Sequence, residues 1–253
     1  MNNEQYRNLM WHLLYTESLL ENVADANAVG GYCECPICKS KLRVFLPFSV
    51  PPLLPRPDAQ CPNCQSLERH RALWLLMQQL NWHRKGMRVL HFAPEPIFYQ
   101  LFSSLKDIDY WPVDLNPKAF GVRKVVDITN ITFDDDSFDL IMCTHVLEHI
   151  PDEKKALSEL HRVLKPKTGI AFLNVPIFNI PVTFEDSAIN TPELRLKYYG
   201  QADHVRAYGL DYPKRLAKAG FSVQMCDIED MDEKLLKRYG LHKGEKIFLC
   251  RKE

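Results

Sequence analysis

The chain has no charge excess. Its 32 basic and 32 acidic side chains balance, so no overall field draws it onto nucleic acid or an anionic membrane. A local basic face of Lys39, Lys41, Arg43, Arg56, Arg69 and Arg71 would nevertheless support RNA. There is no run of eighteen apolar residues and no charged-then-apolar leader, so no helical membrane span is readable and the cytoplasm is the expected compartment. Glycine is missing from the loop HFAPEP, residues 91–96, which follows an apolar strand. A dinucleotide site uses G-x-G-x-x-G there so that backbone can approach a pyrophosphate, which makes nicotinamide and flavin dinucleotides poor candidates.

Cysteine, by contrast, is plentiful, with eight in 253 residues. In a chain without secretory signals this asks for a metal or redox explanation rather than a disulfide framework. CPIC at 35–38 and CPNC at 61–64 form two C-x2-C pairs with the same internal proline. Thiolates from Cys35, Cys38, Cys61 and Cys64 can close a tetrahedron around Zn²⁺, and a site filled by four thiolates is structural rather than catalytic. The arrangement resembles a zinc ribbon. Unligated thiols or a redox dithiol are the alternatives, and Cys33 is a spare donor. Such a module needs its metal to fold, and a role in recognition is equally open. Prolines 47, 51, 52, 55 and 57 stiffen the loop between the pairs. Cys143, Cys226 and Cys250 fall in apolar strands and read as core residues.

Residues 138–169 carry the most information. Phe138, Leu140, Ile141, Met142 and Cys143 read as a strand covered on both faces. From Asp152 the period turns helical, with Ala156, Leu157, Leu160, Val163 and Leu164 on one side and Glu153, Lys154, Lys155, Glu159 and Arg162 mostly on the other. Lys165, Pro166 and Gly169 end that helix before a second strand at 170–175. Between strand and helix lies THVLEHI, at the strand's carboxyl end, where open α/β sheets bind ligands. Other strands are expected at 88–92, 109–114, 221–226 and 246–251, and helices at 3–24, 67–82 and 208–219.

The HVLEH turn and the LxRVLKPxG helix end resemble those of class I S-adenosylmethionine-dependent methyltransferases, and weaker likeness extends over 69–253. The APE loop, the CPxC knuckles and the phrase GQADHVRAYG are together similar to a subset of that family with a cysteine-rich N-terminus. The resemblance implies an α/β fold: a Rossmann-like seven-stranded sheet with helices on both faces and its last strand antiparallel. The expected organisation is a helical segment at 1–30, a zinc-ribbon-like module at 31–66 and a methyltransferase domain at 67–253, with a lid insertion at about 176–207.

It also implies S-adenosylmethionine as cofactor beside the structural Zn²⁺. Ala93 and Glu95 lie in the first loop, and Glu95 suits the methionyl ammonium, although a carboxylate at a helix start has a macrodipole reason of its own. Asp114 can accept from both ribose hydroxyls, flanked by Leu115 and Asn116. Asp127 can accept from the adenine amine while Ile128 packs on the ring. Thr144, His145 and Val146 fall near the methionyl end. His145, Glu148 and His149 suggest a metal motif, but the turn precedes the helix, so helical ligand spacing is not secured and a structural role leads. On the acceptor side, His204 can take a proton, with Asp203 or Glu185 as carboxylate partner. Arg206 and Tyr208 complete the expected acceptor contacts, Arg206 for an acidic group. A capping and ion-pair cluster is the alternative there. The acceptor expected is a small molecule or glycan precursor. RNA stands second, and a non-catalytic interaction protein with the same fold third.

Overall fold

The computed structural model describes residues 33–49, 55–228 and 231–253, so the expected helix at 3–24 lies outside the described residues. The chain divides into two compact units. One comprises the described residues up to Trp82 with Asp227–Glu245, the other His83–Cys226 with Lys246–Glu253. This runs differently from the expected boundary at 66/67, because helix α1 (Glu68–Gln79) and the segment 227–245 group with the cysteines. Among the described residues no helix is long and apolar enough to cross a membrane.

The cysteine unit is built from two short antiparallel pairs, β1 (Cys33–Glu34) with β2 (Lys41–Leu42) and β3 (Leu46–Phe48) with β4 (Arg56–Gln60). Pro47 and Pro57 sit inside the second pair, whose register is irregular. Arg71 of α1 is fully buried and does the work of a core here. Its guanidinium donates to the carbonyls of Ala59 (2.9 Å), Ser66 (2.7 Å), Tyr239 (2.7 Å) and Gly240 (2.5 Å), and its Cζ lies 3.9 Å from the centroid of the Phe45 ring. Burial pulls its pKa down, opposed by neighbouring negative groups. One side chain thus ties α1 and the second cysteine knuckle to the end of α6 (Glu233–Tyr239). Substituting Arg71→Met is expected to cost this unit about 4 kcal/mol or more, since several carbonyls lose a charged donor at once. Hydrogen exchange of residues 55–82 checks this, and unchanged protection would contradict it.

The second unit holds a seven-stranded sheet in the order β10-β11-β9-β8-β5-β6-β7. Its strands are β5 (Arg88–Phe92), β6 (Asp109–Asp114), β7 (Lys124–Val125), β8 (Leu140–Thr144), β9 (Ile170–Asn174), β10 (Ser222–Asp227) and β11 (Lys246–Arg251). Strands β7, β6, β5, β8 and β9 run parallel, and β11 pairs antiparallel with β9, as the resemblance implied. Every residue of β8 and β9 is buried, which is why both read as unbroken apolar runs. Helix α3 (Glu153–Val163) starts at Asp152, whose carboxylate accepts from the Lys155 N–H at 3.0 Å. Its Ala156, Leu157, Leu160 and Val163 pack into the same core as Leu90, Ile141 and Leu173. Cys143 and Cys250 are core residues as expected, whereas Cys226 is half-buried because β10 is an outer strand.

One helix is shorter than its pattern. The sequence predicts helix over 208–219, but α5 spans only Tyr212–Lys218. Ala207 and Tyr208 instead form β-bridges with Phe184 and Ile177 of the insertion: Phe178 N–H bonds to the Tyr208 carbonyl, and Leu210 N–H, in the turn that follows, to that of Ile180, both at 2.8 Å. Gly209 permits this approach, since a Cβ there would lie 2.7 Å from the Ile180 oxygen. The insertion itself carries helix α4 (Pro192–Tyr199), capped by the Thr191 hydroxyl and closed by Gly200 in left-handed conformation.

Candidate functional site

The carboxyl ends of β5, β6 and β8 open onto one cleft of about 540 Å³. Seven of the expected cofactor residues line it: Ala93, Asp114, Leu115, Asp127, Ile128, His145 and Val146, and Phe92, Val126, His149, Ile150 and Asp203 complete the wall. Thr144 and Glu95 are not in that lining. Thr144 is a buried strand end whose Oγ1 has no hydrogen-bond partner among the described residues. Glu95 is the N-cap residue of helix α2 (Pro96–Ser104), with Pro96 in the first turn.

The glycine-free loop is accommodated by strain. Ala93 and His145, which follow the neighbouring parallel strands β5 and β8, both adopt left-handed backbone, at φ 46° and 55°. Glycine takes that conformation without penalty, whereas other residues pay for it, and such residues cluster at ligand sites. In the loop that lacks glycine, an alanine, Ala93, takes the glycine conformation.

Each acidic side chain is oriented by its own loop. Asp114 Oδ1 accepts from the Asn116 N–H at 2.7 Å, and Asp127 Oδ1 accepts from both the N–H and the hydroxyl of Thr129 at 2.8 Å. The Thr129 bonds hold the Asp127 carboxyl below the usual carboxylate range, so it is ionised at neutral pH. In each case the second oxygen has no hydrogen-bond partner among the described residues and is left for an outside donor. Leu115 is 67% exposed, while Ile128 is 4% exposed at the cleft floor.

The expected acceptor residues behave differently. His204 is buried; its Nδ1 meets the Tyr199 carbonyl at 3.2 Å and burial lowers its pKa. Asp203 is exposed and pairs with His149 Nδ1 at 3.2 Å, so the structure joins Asp203 to His149 and leaves the expected Asp203–His204 dyad unformed. Arg206 is not presented to an acidic acceptor. It is buried and donates to the carbonyls of Leu147 (2.8 Å), Ile150 (2.7 Å) and Pro151 (3.0 Å), with Glu185 bound side-on at 2.9 and 3.2 Å. Tyr208 is likewise internal, its hydroxyl donating to Leu147 O at 3.3 Å. Arg206, Glu185 and Tyr208 therefore hold the turn after β8 in place. The Leu147 carbonyl also takes the Ile150 N–H at 3.2 Å within the tight 3-10 turn Leu147–His149, whereas those of Ile150 and Pro151, just past the turn, have no backbone donor among the described residues, and the forked cation serves them.

In the other unit, CPICKS and CPNCQS fold into two copies of one knuckle. Cys35 N–H bonds to the Ser40 carbonyl and Cys61 N–H to that of Ser66, both at 2.9 Å; Lys39 and Gln65 return to the Cys35 and Cys61 carbonyls with φ 62° and 60°. The knuckles bring Cys35 Sγ within 3.6 Å of Cys64 Sγ, and Cys38 Sγ within 3.8 Å of Cys61 Sγ. Sulfurs about 2.3 Å from a tetrahedral Zn²⁺ are about 3.8 Å apart, so the donor set fits that ion. Hydrogen bonds from Cys61 and Cys64 pull the Cys35 thiol pKa down, and the bonds to Cys35 push theirs up. Cys33 stands apart. Its thiol meets the Lys237 carbonyl at 3.5 Å and burial raises its pKa.

Comparison with known proteins agrees with this architecture. Residues 96–172 match a family described as a methyltransferase domain. An uncharacterized protein of Methanocaldococcus jannaschii is 40% identical over 111 residues, 37% of this chain and 48% of that protein. A demethylmenaquinone methyltransferase of Staphylococcus epidermidis is 50% identical over 56 residues, 22% of this chain and 23% of the relative. The chain thus spans about half of the first relative and less than a quarter of the second. Among solved structures, the [4+2]-cyclase SpnF superposes with a TM-score of 0.53 at 16% identity, over 100% of this chain and 97% of that one, a likeness of fold. Sheet order, the turn after β8 and the match at residues 96–172 together make the second unit similar to methyltransferase domains, and the first unit carries a four-cysteine, zinc-ribbon-like module.

Proposed function

We propose that the protein transfers a methyl group from S-adenosylmethionine to a small-molecule acceptor, such as a sugar-containing precursor, with Zn²⁺ holding the cysteine module together. The observation that carries the reading is the convergence of Asp114, Asp127, Ile128 and His145 on one cleft at the strand ends. Bound there, S-adenosylmethionine supplies a methyl group on a sulfonium leaving centre. Asp114 accepts from the ribose hydroxyls and Asp127 from the adenine amine, Ile128 supports the ring, and the strained loops at Ala93 and His145 face the methionyl end. The protein's task is then to align an acceptor in line with the methyl and exclude water.

The pocket reading is favoured over RNA because the candidate basic face has two of its six members, Arg56 and Arg71, engaged within the fold. Arg71 is buried in its own unit, and Arg56 is paired with Glu68 at 2.5 Å. Fold likeness to a cyclase does not decide chemistry, since one fold hosts many activities. Calorimetry with S-adenosylmethionine and S-adenosylhomocysteine is the direct test, followed by labelled-methyl transfer to pools of small hydroxylated or amine acceptors and to RNA. Micromolar cofactor binding with label only in the small-molecule pool is expected. Folded protein that binds neither ligand would overturn the reading, and label in RNA would replace the acceptor.

A further inference from the structure

The turn after β8 and the loop before α5 meet in a second cluster of ligating groups. Glu148, His149 and His204 each offer an atom, all within 4.8 Å of one another. We infer that these three side chains form a site for a divalent first-row transition cation at the edge of the cleft, with Asp203 at its outer side.

The orientation of each group argues for this. His204 Nδ1 is engaged by the Tyr199 carbonyl at 3.2 Å, which makes that nitrogen the protonated one and leaves Nε2 with its lone pair. His149 Nδ1 is engaged by the Asp203 carboxylate at 3.2 Å, which does the same for its Nε2. A carbonyl or carboxylate behind each imidazole is the support that metal-ligating histidines use. Glu148 is 1% exposed; His145 Nδ1 lies 3.3 Å from its Oε1, and its Oε2 is buried with no hydrogen-bond partner among the described residues. A buried carboxylate oxygen in that condition is costly unless a cation or proton answers it. The rings of His149 and His204 meet edge to face at 4.8 Å, and the Val205 N–H bonds to the Glu148 carbonyl at 2.9 Å, which locks the loop against the turn. Ligands about 2.1 Å from one ion are about 3.4 Å apart in a tetrahedron, so small side-chain rotations close the set. Two imidazoles and one carboxylate suit Mn²⁺ through Zn²⁺ and leave positions open. His149 and Asp203 line the cleft, so an open position faces the acceptor side, where an oxygen of an acceptor can bind. The inference stands on the turn and the loop and does not require that the cleft take S-adenosylmethionine.

Metal analysis on the intact chain tests it. Protein whose cysteine cluster is filled with Zn²⁺ is titrated with Co²⁺, followed by calorimetry and visible absorption, and each species is checked by elemental analysis. One further equivalent is expected, without a thiolate-to-cobalt charge-transfer band. It should weaken at least tenfold in His149→Ala and in Glu148→Gln, while the zinc of the cysteine cluster stays bound. His149 is partly exposed and Glu148→Gln keeps the side-chain shape, so these variants fold where His204→Ala is at risk; thermal melts of each confirm it. No second equivalent of Mn²⁺, Fe²⁺, Co²⁺ or Zn²⁺ in the wild type, or one that survives both substitutions, overturns the proposal.

Discussion

Cys61→Ser should unfold the cysteine unit while the seven-stranded unit keeps its structure. Both knuckles are short turns, and among the described residues the apolar cluster around the thiols is Cys35, Leu42, Phe45 and Cys61, with Ile37 and the remaining cysteines packed at its edge. So small a cluster cannot offset the entropy of ordering the chain around it. A structural Zn²⁺ contributes about 10–16 kcal/mol in comparable modules, against about 5–15 kcal/mol for the net stability of a whole domain. Loss of one thiolate leaves the knuckles, among the described residues, with Arg71 and its carbonyls and the ion pairs Arg56–Glu68 and Arg238–Glu34, which is too little. Hydrogen exchange resolved by segment makes the check. Protection should vanish over residues 33–49 and 55–82 in the variant, or in wild type treated with a strong chelator, and persist over β5, β8 and β9. Full protection of the cysteine segment without metal would show that zinc has no structural part. Because thiolates bind the ion and thiols do not, acid should release it, and the chelator needed should fall as pH is lowered.

How far these features were legible depended on the range of the interactions behind them. Strands β5, β8 and β9 were readable because burial on both faces forces a local apolar run, and Asp114 because it directly follows such a run. The knuckles were legible because each is closed by bonds within six residues. What escaped was made by partners distant in sequence. Asp203 reaching His149 instead of supporting His204, Arg206 and Tyr208 serving the carbonyls after β8, and Gly209 pressed on Ile180 all depend on the insertion returning to the turn. Apolar spacing around Tyr208 and Tyr212 suggested one long helix, and pairing with residues 177–184 displaced its first turn. The recruitment of 227–245 to the cysteine unit had no local signature either, since its ties reach far along the chain: Arg71 donates to Tyr239 and Gly240, the Cys33 thiol meets the Lys237 carbonyl and Arg238 pairs with Glu34 at 2.6 Å.

Asp114→Ala is the substitution expected to abolish useful cofactor binding without unsettling the fold. The carboxylate sits at the end of β6, where the Asn116 N–H fixes Oδ1 and the cleft receives the other oxygen. Hydrogen bonds to a charged acceptor contribute about 1.5–3 kcal/mol each. Losing two from the ribose hydroxyls should therefore cost about 3 kcal/mol, or roughly 100-fold in affinity for S-adenosylhomocysteine. Asp114→Asn keeps an acceptor and the Asx turn but gives up the charge, and should fall between the two. Asp127→Ala, which removes one contact to the adenine edge, should cost only about tenfold. This ordering distinguishes a ribose acceptor from a merely structural aspartate: a structural role would lower the melting temperature of the sheet unit in step with affinity, whereas a ligand contact leaves the melting of ligand-free protein nearly unchanged. Wild-type affinity in Asp114→Ala, with the fold intact, would move the ribose away from β6 and take the proposed placement of the cofactor with it.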